Sequence, residues 1–233
     1  MENVGSACNK RKRIIIALNI LISVSSLLGV LLSCIFAVND GYSDWYRRLF
    51  YFTQQSNIWI FLTCAVYAAI HLLKLSNTKL LALVDTLKFV FAVSITVTGI
   101  IFCALLAPFA NFNIWSFANV LTHVITPLLA IFEFFLNGYL KAVRHRDVLL
   151  AMIPPALWFV FASILCLLKV DFGKGDPFPY FFMDFYNGAG LFGYVEGMPP
   201  KIGVFYWIAF FLLFIYGLGY LYYRLHNRIH KNK

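Results

Sequence analysis

"YFTQQSNIWIFLTCAVYAAIHLL", residues 51–73, is an apolar run whose first turns carry five consecutive hydrogen-bonding side chains, from Thr53 to Asn57. At about 1.5 Å per residue, a helix of this length crosses a hydrocarbon layer of about 30 Å. A plain membrane anchor gains nothing from such a polar cluster. The run therefore predicts a membrane-spanning helix with an additional task at its polar end.

The rest of the chain repeats this apolar pattern. Apolar residues make up 61% of the 233 residues and charged residues 12%, whereas soluble domains carry roughly twice that charged fraction. The apolar residues lie in long blocks, which is typical of integral membrane proteins. We predict an all-α polytopic membrane bundle of six transmembrane helices, near 14–38, 51–73, 80–107, 116–136, 147–168 and 204–223.

The basic residues are concentrated on one side of this predicted bundle. Thirteen Lys and Arg residues fall on the side of the two termini, whereas five fall on the other side together with six acidic residues. The positive-inside rule therefore predicts that both termini are cytoplasmic. Because this distribution accounts for the net charge of +9, no nucleic-acid partner is expected.

Three regions are expected along the chain. A basic cytoplasmic N terminus (1–13) precedes a six-helix transmembrane domain (14–223), and a basic cytoplasmic tail (224–233) follows it. The first block is too long for the apolar region of a signal peptide and lacks an A-x-A site, which favours a retained helix over a cleaved signal. The outer loop at 169–203 is rich in aromatic residues, Gly and Pro. It is interpreted either as part of the interfacial aromatic belt or as a lid over an outer cavity.

No metal or cofactor is expected, because the chain has no glycine-rich phosphate loop and no His, Cys or carboxylate spacing typical of a metal site. Cys34, Cys103 and Cys166 approach the outer ends of their helices, so one disulfide is conceivable without a defined pairing. Asp85 and Lys88, one turn apart near the inner end of the third span, can pair with each other, and Glu133 near the inner end of the fourth span could join them, so these three residues predict a structural ion-pair cluster.

His123 is an ionisable residue within a span that the predicted ion pairing does not explain. It lies about 10 Å below the outer edge of the fourth span, and Asn119 shares its face at i−4. Spans two and four both run inward, so Thr53 and Asn57 lie in the same outer half, and span three brings Thr98 to this level. Such convergence is what a site requires, although hydrogen bonding between helices produces the same pattern.

Four motifs resemble a known family in order and spacing. They are YFTQQSNIW (51–59), VTGIIFCALLAP (97–108), WSFANVLTHVITPLLAIFEF (115–134) and DPFPYFFMDF (176–185). Over about residues 45–220 the chain resembles the bacterial six-helix membrane family sometimes labelled Pr-six-Pr, and this resemblance implies a multi-pass protein of the cell (cytoplasmic) membrane. That family is similar to the eukaryotic androgen-induced/FAR-17a membrane proteins, which are threonine hydrolases of fatty acid esters of hydroxy fatty acids. By this resemblance, Thr53 matches their threonine and His123 their histidine.

Thr53 and His123 are therefore the candidate catalytic residues for an intramembrane hydrolysis of lipid esters. A threonine hydroxyl is a weak nucleophile that needs an adjacent base, and the reaction needs hydrogen-bond donors for the developing oxyanion. The absence of a GxSxG elbow excludes a standard serine esterase. The expected substrate and oxyanion pocket comprises Gln54, Asn57, Thr98, Asn119 and Asp184, the last as a possible orienting group for the imidazole.

Two other functions stay open from sequence. The same polar pocket would serve a transporter or small-ligand carrier, and a non-catalytic scaffold would use the polar residues to join its helices. Membrane lipids are the expected partners, with a lipid ester as substrate of the hydrolase, and no oligomeric state is predicted. The hydrolase hypothesis requires that the Thr53 hydroxyl and the His123 ring meet within hydrogen-bond distance or through one water.

Overall fold

The protein is predominantly helical, and its computed structural model describes residues 2–109, 114–137, 142–196 and 201–230. Six helices are long and apolar enough to cross a membrane, which confirms the predicted all-α, six-helix class and indicates a multi-pass membrane protein. They are α1 (Glu2–Ile35), α2 (Phe52–Leu72), α3 (Thr78–Ile101, continued by a π-helical segment, Phe102–Leu106), α4 (Phe117–Val120, a π-helical segment Leu121–Ile125, then Thr126–Leu136), α5 (His145–Leu167) and α6 (Val204–Ile229).

The helices extend beyond the predicted blocks at both ends of the chain. Helix α1 begins at Glu2, although its apolar span is Asn9–Ile35, and α6 continues to Ile229. Most of the described part of the predicted basic tails is therefore helical. Hydropathy marks where a helix leaves the membrane, whereas Lys and Arg are good helix formers that let it continue into water.

Both ends of the chain lie at the same end of the bundle. The Arg11 guanidinium donates to the Leu136 carbonyl (2.7 Å), and the His230 ring lies 3.1 Å from the Phe135 carbonyl. Both carbonyls belong to the last turn of α4. We call this the terminal end and the opposite one, where α2 begins, the loop end.

Helix α4 is antiparallel to α1 and contacts it along most of its length. Asn19 of α1 donates to Glu133 (2.7 Å), and one turn and a half later Ser25 hydrogen-bonds Thr126 (2.9 Å). Toward the loop end, a Cβ atom added at Gly29 would lie only 2.6 Å from the Thr122 methyl group. The glycine therefore permits the close approach of the two helices beside the π-helical segment of α4.

The long loop between α5 and α6 folds into the loop end of the bundle. Phe172, Phe182 and Met183 are at most 3% exposed, and Phe181–Met183 form a short 3-10 helix. A two-stranded antiparallel ribbon, β1 (Tyr194–Val195) with β2 (Lys201–Ile202), lies at the far end of the loop. The first half of the loop therefore packs against the helices at the loop end.

A buried ion pair joins three helices in the terminal half of the bundle. Lys88 Nζ of α3 lies 2.7 Å from Glu133 Oε2 of α4, and both side chains are 2% exposed. Asn19 of α1 accepts from Lys88 and donates to Glu133, while Asn137 donates to the same carboxylate (2.8 Å). Lys88 also lies 4.5 Å from the centre of the Tyr67 ring. Of the predicted cluster of Asp85, Lys88 and Glu133, the contact between Lys88 and Glu133 is present, and each of these two charges meets several polar partners.

Replacing Lys88 alone with Met is expected to destabilise the fold strongly, because Glu133 would keep a buried charge without its counter-ion. Breaking such a pair costs about 3–5 kcal/mol, whereas replacing both partners is often near neutral. Thermal unfolding in detergent should therefore show a large fall in Tm for Lys88→Met and a partial recovery in Lys88→Met/Glu133→Gln. The exposed Lys79→Met is the control, and equal Tm values for it and Lys88→Met would contradict the prediction.

Candidate active site

Thr53 is the second residue of α2, and the helix begins directly after Tyr51, whose backbone is extended. Tyr51 has φ −77° and ψ 141°, and its carbonyl accepts from the backbone amides of Gln54 and Gln55 (3.1 and 3.2 Å). The first amides of a helix have no acceptor within the helix and form the positive end of its dipole. The Thr53 hydroxyl therefore lies beside backbone groups that favour negative charge.

The start of α2 is fixed by contacts with the preceding 3-10 helix, Trp45–Phe50, and with α5. Trp158 Nε1 of α5 donates to the Phe50 carbonyl (2.9 Å), and its ring meets Phe52 edge-on. Gln55 Nε2 reaches back to the Leu49 carbonyl (3.2 Å). These contacts hold Thr53 on a rigid element rather than on a free loop.

His123 lies in the middle of the π-helical segment of α4. The Thr126 amide donates to the Leu121 carbonyl, five residues earlier. Pro127 has no amide hydrogen, so it cannot donate to the His123 carbonyl, as an ordinary residue four positions later would. The missing hydrogen bond explains the wider turn, and insertions of this type are frequent at functional sites.

The Thr53 hydroxyl meets the His123 ring, with 3.2 Å between Oγ1 and Nε2. Nδ1 lies 3.0 Å from the Asn119 carbonyl and 3.0 Å from Thr122 Oγ1, which itself donates to the Ala118 carbonyl. Because a carbonyl can only accept, the proton of the neutral ring is on Nδ1. Nε2 is then an acceptor, and the Thr53 hydroxyl donates to it. The distance meets the requirement of the hydrolase hypothesis.

Helix α3 closes the other side of the imidazole. Phe102, the first residue of the π-helical segment of α3, stacks on the His123 ring with 3.8 Å between centroids and 23° between planes. One turn earlier, a Cβ atom on Gly99 would lie 3.0 Å from the His123 carbonyl and 3.0 Å from Pro127 Cβ. The ring is therefore held in one orientation, and Gly99 is the residue that lets α3 come this close.

Tyr180, from the loop between α5 and α6, is a third polar group at Thr53. Its hydroxyl lies 3.4 Å from Thr53 Oγ1, and since the Thr53 proton points to His123, the phenol is the donor. Burial raises the pKa of Tyr180 to about 12, so at neutral pH it is an uncharged donor. The hydrogen bonds then run in one direction, from Tyr180 through Thr53 and His123 to Asn119.

Sequence reasoning did not single out Tyr180, because it lies in a run where aromatic residues are the rule. The flanking Pro177 and Pro179 were the available signal, since they mark a fixed non-helical stretch. Neither proline reveals which aromatic side chain turns toward α2.

Two of the predicted pocket residues line the same cavity as the Thr53–His123 pair. Gln54 is 3% exposed, and its Oε1 has no hydrogen-bond partner in the described part of the chain. Asn119 uses its side-chain amide to donate to the Ile114 carbonyl (2.8 Å), and its own carbonyl accepts from His123. Asn119 therefore orients the imidazole through its backbone.

Two others, Asn57 and Thr98, hold the helices together. Asn57 donates to the Thr53 carbonyl (2.8 Å) and to the Thr122 carbonyl (3.1 Å), which ties α2 to α4 beside the pair. Thr98 Oγ1 lies 2.8 Å from Ser56 Oγ and so links α3 to α2. Both act on the site by fixing the helices that carry it.

Asp184 lies apart from the imidazole that it was expected to orient. Its carboxylate accepts from the Tyr186 amide (2.8 Å) in the loop, and Asp184 does not line the cavity. The loop does fold inward, but it turns Tyr180 toward the pair, while the Asn119 carbonyl already occupies the Nδ1 side of the ring.

The pair opens on a cavity of about 620 Å³ at the loop end, a size typical of sites for small organic ligands. One wall is apolar and includes Phe102, Leu105, Leu106 and Ile114; the rim is polar and includes Asn39, Asp40, Tyr42, Arg48 and Lys174. Behind Thr53 a narrow apolar slot of about 30 Å³ runs between Val97, Trp158 and Phe211. Thr53 and Tyr180 line both spaces, so the hydroxyl stands between them.

Cys34, Cys64, Cys103 and Cys166 are free thiols. Within the described ranges, no group of three or more His, Cys, Asp or Glu side chains is arranged to hold a metal ion. Comparisons of the chain with models of known protein families, with curated proteins and with solved structures gave no match.

Replacing Gly99 with Ala is expected to lower Tm, because the new methyl group would press on the backbone of α4 at His123. Overpacking of this kind costs about 1–3 kcal/mol. Gly217→Ala in α6 is the matched control: nothing lies within 4 Å of its Cβ position, so alanine should be neutral or slightly stabilising through its higher helix propensity. If unfolding scans in detergent gave Gly99→Ala a Tm equal to or higher than that of Gly217→Ala, this would show that α3 does not press on α4 here.

Proposed function

We propose that this chain is an integral membrane hydrolase of lipid esters of the fatty acid ester type, with Thr53 as nucleophile and His123 as general base. The observation that carries the proposal is the directed hydrogen bond from the Thr53 hydroxyl to Nε2 of an imidazole whose Nδ1 donates to the Asn119 carbonyl. Nucleophile, base and orienting group in this order define an activated hydroxyl. The resemblance of Thr53 and His123 to the threonine and histidine of the androgen-induced/FAR-17a proteins supports the same assignment.

Acylation begins when the Thr53 proton moves to His123 Nε2 and Oγ1 adds to the ester carbonyl carbon. The carbonyl oxygen becomes an oxyanion in a tetrahedral intermediate. When this intermediate collapses, the bond to the alcohol oxygen breaks and that oxygen takes the proton from His123. A water molecule then attacks the Thr53 ester with His123 again as base, which releases the fatty acid and restores the hydroxyl.

The oxyanion needs donors close to Thr53 Oγ1, because both oxygens are bound to the same carbon. The Tyr180 hydroxyl lies 3.4 Å from Oγ1, and the start of α2, where Thr53 lies, contributes the positive end of the helix dipole. Gln54 lines the cavity beside them. Removing one such donor typically costs about 10²–10³ in kcat.

We further propose that both termini are cytoplasmic in the cell membrane, so that the loop end and the cavity lie near the outer leaflet. The excess of thirteen basic residues over five supports this orientation. The apolar wall at Phe102, Leu105 and Leu106 suits the hydrocarbon part of a lipid, and the polar rim suits its head.

A ligand carrier is the second candidate, and the observation that favours it is the size of the cavity, about 620 Å³. In a carrier the same groups would bind without breaking a bond, and Thr53 would matter for affinity alone. A scaffold would be disturbed most by Asn57→Ala, which removes the tie between α2 and α4. Turnover of an ester substrate distinguishes the hydrolase from the carrier and from the scaffold, because neither of these breaks a bond.

Thr53→Ala and His123→Ala are each expected to lower hydrolysis of hydroxy-fatty-acid esters by at least about 10³, since the nucleophile and its base act as a unit. Thr53→Ser should retain measurable turnover and labelling by a fluorophosphonate probe. Thr63→Ala is the control, because Thr63 is a buried threonine of the same helix whose hydroxyl donates to the Trp59 carbonyl of that helix. A folded wild-type protein with neither labelling nor turnover, or full turnover in Thr53→Ala, would refute the proposed reaction.

Tyr180→Phe is expected to lower kcat by about 10²-fold or more while leaving KM nearly unchanged, because the donor acts on the transition state. The ring contacts with Trp158 and Phe182 survive this change. Tyr186→Phe, which removes a phenol hydroxyl from the exposed part of the same loop, is the control. Because the pKa of Tyr180 is about 12, wild-type activity should not decline through its ionisation at pH values well below 12. A normal kcat in Tyr180→Phe would remove the phenol from the mechanism.

A further inference from the structure

The rim of the cavity carries an excess of positive charge. Apart from tyrosines and the neutral His123, its ionisable side chains are Asp40, Arg48 and Lys174. Two cations and one carboxylate give these lining side chains a net formal charge of +1, and Asp40 forms an ion pair with Arg48. An apolar ligand does not need a charge at this point, and a cationic ligand would be repelled by it.

Tyr42 brings the two cations to the same place. The Arg48 guanidinium lies 4.1 Å and Lys174 Nζ 5.0 Å from the centre of its ring, and Tyr42 itself is buried. Contacts with an aromatic face orient such side chains. The two positive groups are therefore held on one buried ring instead of moving freely in solvent.

The backbone around Lys174 is also fixed. Gly173 and Gly175 have φ values of 115° and 85°, and the amides of both donate to one oxygen of Asp171 (2.7 and 2.9 Å). The Gly173 carbonyl accepts from the Ser43 amide (2.7 Å), which joins this turn to the segment that carries Tyr42. The position of the lysine thus follows from a closed turn tied to its neighbour.

Arg48 has hydrogen-bonding capacity beyond its partner. Its terminal nitrogen donates to Asp40, and a guanidinium carries five N–H donors in all. Burial and, next, the charge of Arg48 lower the pKa of Lys174, and Asp40 opposes this effect. Arg48 and Lys174 therefore act on each other electrostatically, and an anion that contacts both would be stabilised by both charges.

We propose that the cavity binds an amphiphile whose acid group, a carboxylate or a phosphate, is held by Arg48 and Lys174 while its apolar part lies along Phe102, Leu105 and Ile114. The inference rests on the proposed function only in placing an ester bond beside Thr53. Binding and turnover are therefore tested separately.

The binding test uses Thr53→Ala protein, which cannot form the Thr53 ester, and three ether ligands with the same alkyl chain. These are a 4-alkoxybenzoate, a 4-alkoxyphenyl phosphate and the neutral 4-alkoxybenzamide, and their Kd values are measured in detergent. At least one of the two anions should bind about tenfold tighter than the amide, as expected for a charge-assisted hydrogen bond. The tighter of the two identifies the acid. Equal Kd values for all three would overturn the proposal.

The residues are tested by Arg48→Gln and Lys174→Gln. Each substitution should reduce the ratio of the Kd of the amide to the Kd of the anion several-fold, or to a value near one. Arg48→Gln is also combined with Asp40→Asn to remove the carboxylate left behind. Arg47→Gln is the control, because Arg47 pairs with Asp44 and does not line the cavity. If the arginine variants do not fold, Lys174→Gln on the exposed turn carries the test alone. An unchanged preference in the folded variants would overturn the proposal.

Inorganic phosphate serves as a competitor and separates an amphiphile from a small anion. If phosphate alone displaces the ligand at concentrations near the Kd of the amphiphile, the site takes a free anion and the proposal fails. The corresponding 4-acyloxybenzoate and 4-acyloxybenzamide are then offered to the wild-type protein. Tight binding of the anion without hydrolysis would overturn the proposed reaction and leave the acid-binding site standing.

Discussion

The salt bridge between Lys88 and Glu133 is the contact on which the arrangement of the bundle depends. Inside hydrocarbon a charged side chain must find its partners within the protein, and these two find them on α1, α3 and α4 at once. Three helices are thereby fixed in register at the terminal end. Two of them, α3 and α4, carry Phe102 and His123 at the other end, so the register set by the ion pair is the register in which the ring and the imidazole stack.

The direction of the hydrogen bonds at His123 is the second property of the structure that matters for the chemistry. A carbonyl that can only accept lies at one nitrogen of His123, and this one fact assigns the proton, the tautomer and the donor role of the Thr53 hydroxyl. Pro127 contributes by leaving the His123 carbonyl without its usual partner and widening the turn. Pro127, which has no functional group, thus affects the backbone at His123, the residue that needs a defined protonation state.

The fold was largely predictable because its signals are local and physical. Apolar blocks of sufficient length define the six helices, and the cost of a charge in hydrocarbon predicts that Lys88 meets a carboxylate, although the sequence offered both Asp85 and Glu133. Thr53 and His123 could be placed at one level by following the direction of each span. Their hydrogen bond could not, because the rotation of a helix about its axis depends on close contacts such as those at Gly29 and Gly99.

The remainder of the site lay beyond sequence reasoning for a different reason. Asn119 and Asp184 both carry groups that can accept from an imidazole, and the backbone carbonyl of Asn119 proved to be in contact with it while the Asp184 carboxylate bonds within its loop. A backbone carbonyl is present at every position, so no pattern of residue types can single one out. Tyr180 and Lys174 belong to an irregular loop, whose path is set by turns and ring contacts rather than by periodicity.

The loop between α5 and α6 contributes Lys174 to the rim of the cavity and, six residues later, Tyr180 to the threonine. A group at the entrance of the cavity and a group at the nucleophile are therefore carried by one segment, so a displacement of this loop would move both together. Opening the entrance to a ligand by such a displacement would also withdraw the phenol from Thr53, which would couple access to the cavity with the hydrogen bonding of the nucleophile.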